Sequence, residues 1–117
     1  MSDTPPPTPT PLEFEILLAL AAGPLHGYGI IQDIESRGRA ASHLRSGTLY
    51  LALRRLRDAG LVEPTTAPES EAGSNDARRK YFALTPRGGR AVADEVARLG
   101  RLVDVGRRRL ADAGGTS

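Results

Sequence analysis

The chain has no cysteine and no tryptophan, one methionine, and only five aromatic residues: Phe14, Tyr28, Tyr50, Tyr81 and Phe82. The missing thiols exclude a disulfide framework, a thiolate metal site and a cysteine nucleophile. They also fit a reducing compartment. No apolar run approaches the roughly 20 residues that a membrane span requires. The longest, from Ile16 to Ala22, is far shorter. Its upstream flank, PPPTPTPLEFE, is rich in proline and glutamate and lacks the basic region of a secretory signal. The expectation is a cytoplasmic protein with no membrane partner.

Reactive side chains are equally scarce. The two histidines, His26 and His43, are the neutral bases available. His26 sits where a helix begins, as a cap or surface residue, and His43 lies in a connecting segment. Two histidines without defined ligand spacing do not make a metal site. The glycines of HGYGI fall inside a helical pattern rather than after a strand, so the dinucleotide fingerprint is absent. No enzyme, metal or cofactor is expected.

What the chain does have is segregated charge. The net charge over 117 residues is only +2. Residues 1–36 nevertheless carry Asp3, Glu13, Glu15, Asp33 and Glu35 with no base, and residues 37–57 carry six arginines with no acid. Residues 58–77 return to acids alone, and 78–90 hold Arg78, Arg79, Lys80, Arg87 and Arg90. Two basic blocks around an acidic spacer can build a basic face on a near-neutral protein, as a phosphate binder needs. Arginine predominates, which suits bidentate contact with phosphate and guanine.

Residues 1–11 are expected to be a disordered proline- and threonine-rich arm. Thr10, Pro11 and Glu13 then form a helix-start signature of N-cap, first-position proline and capping-box glutamate. The first helix should cover 11–22, with its apolar face at 12, 16, 17, 20 and 21, and stop at Gly23-Pro24. A second helix is predicted from about Gly27 to Arg37, with Ile30, Ile31 and Ile34 as its buried stripe and Gly38 as its terminator. A third begins with Ser46 as N-cap, buries Leu49, Leu53 and Leu56, and closes at Gly60. Residues 61–66 and 79–85 read as strands joined by the turn-rich segment APESEAGSND. A last helix opens at Thr85-Pro86 and runs to about Leu110.

That last helix carries Val92, Val96, Leu99, Val103, Gly106 and Leu110 at spacings of 4, 3, 4, 3 and 4, a heptad seam. Asp94, Glu95, Arg98, Arg101, Asp104, Arg107 and Arg108 lie off it. The stripe can pack on the parent domain or pair with a second subunit, and a helix longer than the preceding domain needs favours the second. The order helix–helix–helix–strand–strand–helix is that of a mainly α (α+β) winged helix-turn-helix, an order other small α+β domains share: three helices and a two-stranded wing, followed by a C-terminal dimerisation helix. The domains are then 1–11 arm, 12–85 DNA-binding domain, 86–113 dimerisation helix and 114–117 tail.

On a helical wheel the buried leucines of the third helix point Gly47, Leu51, Arg54, Arg55 and Asp58 outward, with Thr48, Tyr50 and Arg57 on the flanks. Its N-terminal half would enter the major groove and offer Thr48, Leu51 and Arg54 to base edges. Ser46, Tyr50, Arg55 and Arg57 suit phosphate oxygens. Arg78, Arg79 and Lys80, at the base of the wing, suit the backbone or minor groove. The acidic wing tip, with Glu69, Glu71 and Asp76, should point away from DNA. An alternative is a winged-helix module for protein–protein contact, which outward Leu51 favours and the arginine blocks oppose.

The blocks LHGYGIIQDIESRG (25–38), SGTLYLALRRLRDAGLVE (46–63) and RRKYFALTPRGGRAV (78–92) resemble the signature blocks of PadR-type regulators, over about residues 12–110. The resemblance implies a homodimeric winged helix-turn-helix repressor of a double-stranded DNA operator, in some members released by a small-molecule effector. It also implies DNA-contact roles for Tyr28, Ser46, Thr48, Tyr50, Arg78, Arg79 and Lys80. Leu51 departs from the proline or polar residue common at that position. The terminal helix has no aromatic plates of the kind that trap flat compounds between subunits, so any effector pocket there should be aliphatic.

Overall fold

The computed structural model describes residues 8–38, 45–74 and 78–114. Helix α1 spans Pro11–Ala21 and begins as its sequence dictates. The Thr10 hydroxyl accepts from the Glu13 amide at 3.1 Å, and the Glu13 carboxylate accepts from the Thr10 amide at 2.9 Å. Both amides are among the helix-end donors with no partner inside the helix. Thr10→Ala removes one arm of this exchange and should cost about 1 kcal/mol, readable as a shifted urea midpoint. An unchanged midpoint would show that the cap adds nothing to stability. The buried side of α1 is Ile16, Leu17, Ala19 and Leu20. Ala21, expected inside, is exposed.

A short strand β1, Leu25–His26, precedes α2, Gly27–Glu35. Ile30 and Ile34 are buried and Ile31 half-buried, and Gly38 adopts a left-handed φ of 77° just beyond the helix end. Helix α3 covers Ser46–Asp58 and buries Leu49, Ala52, Leu53 and Leu56. The expected serine cap is corrected here: Arg45 holds the cap position, with no side-chain hydrogen bond, and Ser46 is the first helical residue.

Strand β2 is Val62–Thr65 and β3 is Tyr81–Leu84, with a single 3-10 turn at Glu69–Glu71 in their connection. The sheet has three strands rather than two, in the order β1-β3-β2, all antiparallel. Leu25 faces Phe82, and Val62 faces Leu84. Two residues are too short to show a period of two, which is why the sequence did not announce β1. Pro64 is tolerated because β2 lies at a sheet edge.

Helix α4 covers Pro86–Gly114. Its start is tied to the turn after α3: the Thr85 hydroxyl donates to the Gly60 carbonyl at 2.6 Å and accepts from the Gly88 amide at 3.0 Å. The Thr85 amide donates to the Leu61 carbonyl at 3.1 Å. Twenty-nine residues make a rod about 43 Å long at 1.5 Å per residue. Its N-terminal half closes the core through Gly88, Ala91, Val92 and Glu95. From Gly100 onward every described residue except Gly106 is exposed. No helix among the described residues is long and apolar enough to cross a membrane.

Candidate nucleic-acid interface

Two sequence blocks and the wing converge at the N-terminus of α2. His26 caps α2 through Nδ1, which accepts from the Gly29 amide at 2.9 Å. Its ring lies parallel to Tyr28, with centroids 6.5 Å apart, and meets Tyr81 of β3 edge-on at 5.2 Å. The Arg79 guanidinium stands 5.7 Å from the centre of the Tyr28 ring. At that range a cation is held by the ring's negative face, and more firmly where water is displaced.

A parallel arrangement runs from α3. A side chain at Gly27 would collide with the Tyr50 hydroxyl, so glycine lets α3 lie close over the start of α2. The Tyr50 ring is 6.3 Å from that of Phe82, and Lys80 Nζ stands 5.7 Å over Phe82. Tyr50, Arg54, Arg57, Lys80 and Phe82 line one groove between α3 and β3. The result is one surface in which cations alternate with aromatic rings.

The remaining predicted residues divide. Ser46, Thr48 and Leu51 are exposed on the N-terminal half of α3, Leu51 at 54 %, and Tyr28 is 55 % exposed. Arg54 and Asp58 are exposed as the wheel requires, and Arg57, placed on its flank, is exposed too. Arg78 is exposed at the base of the wing. Arg55 turns the other way, its Nε 3.2 Å from the Glu13 carboxylate of α1. This ion pair links the first and third helices and draws Arg55 off the surface that holds Arg54. His43 and Asp76 lie outside the described residues.

The heptad seam also divides. Val92 belongs to the chain's own core, and Leu99 is half-buried. Val96 and Val103 are each 50 % exposed, and Leu110 is 73 % exposed. Leu102, at 54 %, joins this exposed stripe although the heptad pattern leaves it out. Glu95, placed off the seam, is buried instead, at 6 % exposure. It is held by Arg98 through bonds of 2.9 and 2.6 Å. Those bonds hold its carboxyl below the usual carboxylate range, against the opposing effect of burial. Seam spacing marks apolar positions, so a buried acid neutralised by its own i+3 partner escapes it.

A recognition helix backed by a two-stranded wing, with cations gathered at their junction, defines the winged helix-turn-helix class of DNA-binding fold. The sequence profile of the transcriptional regulator PadR-like family matches residues 16–94. The chain belongs to that family of DNA-binding transcription regulators. A PadR family transcription regulator from hypervirulent Clostridium difficile R20291 superimposes with a TM-score of 0.70 at 26% identity, covering 85% of this chain and 97% of that one. A PadR-like transcriptional regulator from Bacillus cereus strain ATCC 14579 gives 0.70 at 22%, covering 85% and 90%. The chain is also 41% identical over 88 residues to an uncharacterized 37.1 kDa protein in transposon TN4556 of Streptomyces fradiae. That match covers 74% of this chain and 22% of the relative, so the chain spans about a fifth of the relative's length.

Proposed function

We propose that the protein is a cytoplasmic homodimeric repressor that binds a near-palindromic operator, its own promoter among the candidate targets. The observation that carries this reading is the contiguous basic and aromatic surface linking Tyr28, Tyr50, Arg54, Arg79 and Lys80 across α2, α3 and β3. Residues 12–85 form the DNA-binding unit. Residues 86–113 carry the dimerisation helix, with Val96, Leu99, Val103 and Leu110 facing a second copy. A small-molecule effector of aliphatic character would lodge between subunits.

Thr48, Leu51 and Arg54 take base edges, arginine pairing with guanine and leucine touching a thymine methyl. Ser46, Tyr50, Arg78, Arg79 and Lys80 hold phosphates, and the Tyr28 ring keeps Arg79 at the wing base. Arg55, committed to Glu13, contributes less than its position on the wheel suggests.

The division between phosphate and base contacts is testable. Arg79→Ala should weaken binding to every DNA sequence and flatten the salt dependence by about one unit of slope for each phosphate it no longer neutralises. Arg54→Ala should relax preference at one base pair, by about 1–3 kcal/mol. Fluorescence anisotropy with operator and scrambled duplexes at two salt concentrations reads both. Equal weakening on both duplexes for both variants would remove the base-reading face. Weak binding to both duplexes by the unaltered protein would favour the protein–protein module instead.

A further inference from the structure

The groove between α3 and β3 has features that a duplex backbone does not use. Its volume is about 470 Å³, within the range of small-molecule sites. Arg54 and Arg57, one turn apart on α3, line it together with Lys80 of the wing. The rings of Tyr50 and Phe82 also line it, and Asp58 is its acid. Among the described residues no ion pair links Asp58 to these cations or neutralises Arg54, Arg57 or Lys80. Three cations less one carboxylate leave a net charge of +2 around an aromatic wall. Arg57 stands in the last turn of α3, away from the N-terminal half that would enter a major groove.

We infer that this groove binds a nucleoside monophosphate. A phosphate monoester carries close to two negative charges at neutral pH, which matches the net charge of the lining. Arginines take its oxygens bidentately, and Lys80 supplies a point charge. The base supplies a flat π-face to the half-exposed Tyr50 ring, a contact worth about 1–3 kcal/mol on protein aromatics, while buried Phe82, with Lys80 over its ring, backs that wall. Asp58, an acceptor only, suits a ribose diol or an exocyclic amine. A bare phosphate leaves the rings unused, and an aromatic carboxylate brings half the charge. Because Tyr50, Arg54 and Lys80 are also assigned to DNA under the proposed function, the nucleotide competes directly with the operator. That last consequence rests on the DNA reading; the site itself does not.

The test is isothermal titration of the full chain, free of DNA, with AMP, adenosine, inorganic phosphate and 2-naphthoate. Saturable binding of one AMP per chain is expected, with each of the other three at least about tenfold weaker. Arg57→Gln, an exposed change whose fold is checked by circular dichroism, should weaken AMP about tenfold, the effect of removing one charge-assisted hydrogen bond. Phosphate binding as tightly as AMP would reduce the groove to a basic patch. Adenosine or 2-naphthoate binding as tightly, no saturable AMP binding, or an unaffected Arg57→Gln would each overturn the assignment. Operator titrations without and with AMP separate the two readings. DNA binding by a chain that ignores AMP overturns this inference alone. AMP binding by a chain that ignores DNA overturns the DNA reading and leaves the site. Unchanged operator affinity at saturating AMP overturns the competition.

Discussion

Gly88→Ala should lower stability by about 2–3 kcal/mol, although replacing a helical glycine by alanine ordinarily stabilises by up to about 1 kcal/mol. The reversal comes from the junction of α4 with the end of α3. A Cβ at Gly88 would overlap the Leu61 carbonyl oxygen, with the carbonyl carbon at 3.0 Å and a Leu84 methyl at 3.2 Å. That carbonyl cannot retreat freely, because it accepts from the Thr85 amide, and Thr85 also holds Gly60 and Gly88. Relief therefore requires α4 to move away from β2, opening the core around Ala91 and Val92. Gly89 supplies the internal control, since a Cβ there meets nothing within 4 Å. Gly89→Ala should be neutral or slightly stabilising by helix propensity. Thermal unfolding should place the Gly88 variant roughly 10 °C or more below the unaltered chain. Equal melting of the two variants would mean that the junction tolerates a methyl group.

The double change Leu102→Glu with Val103→Glu should convert a dimer to a monomer and reduce operator affinity by two orders of magnitude or more. In a single chain both side chains are half-exposed, so charges there cost the isolated fold little. They continue the face that Val92, Glu95 and Leu99 turn toward the domain, and beyond Leu99 no described part of the chain covers it. An apolar stripe that ends its own core contacts halfway along a rod of this length is the face that the proposed dimer would cover with a second copy. Carboxylates buried against a partner would be strongly unfavourable. Separation from the second head removes the effective concentration that couples two half-sites, about 10²–10⁴ in affinity. Sedimentation and anisotropy on the same samples read both effects. A monomeric unaltered protein, or a variant that remains dimeric, would remove the seam from the interface.

Much of this architecture was legible in local signals. The capping box at Thr10 and Glu13, the leucine stripe of α3, the glycines at 38 and 60 and the wing strands are short-range patterns. Each is set by helix-end hydrogen bonds, side-chain period or backbone freedom, and the structure repeats them within a few residues. The outward cations and hydroxyls of α3 were legible as residue types on an exposed helix face.

Their arrangement was not. That Arg79 rests on Tyr28, that Lys80 and Tyr50 meet over Phe82, and that Arg55 leaves for Glu13 all depend on separations of up to 51 positions along the chain. No periodicity reports contacts between elements that far apart. Strand β1 exists only because β3 offers it a partner, and Glu95 is buried only because α1 packs over α4 and Arg98 neutralises it. The sequence by itself determined the four helices, the two wing strands, their order and the outward cations of α3, because these follow from interactions within a few residues. Only the tertiary structure decided which cations share a surface, which half of α4 is left bare, and that a groove lies between α3 and the wing. Those outcomes follow from how the elements pack, and packing is settled by shape across the whole core.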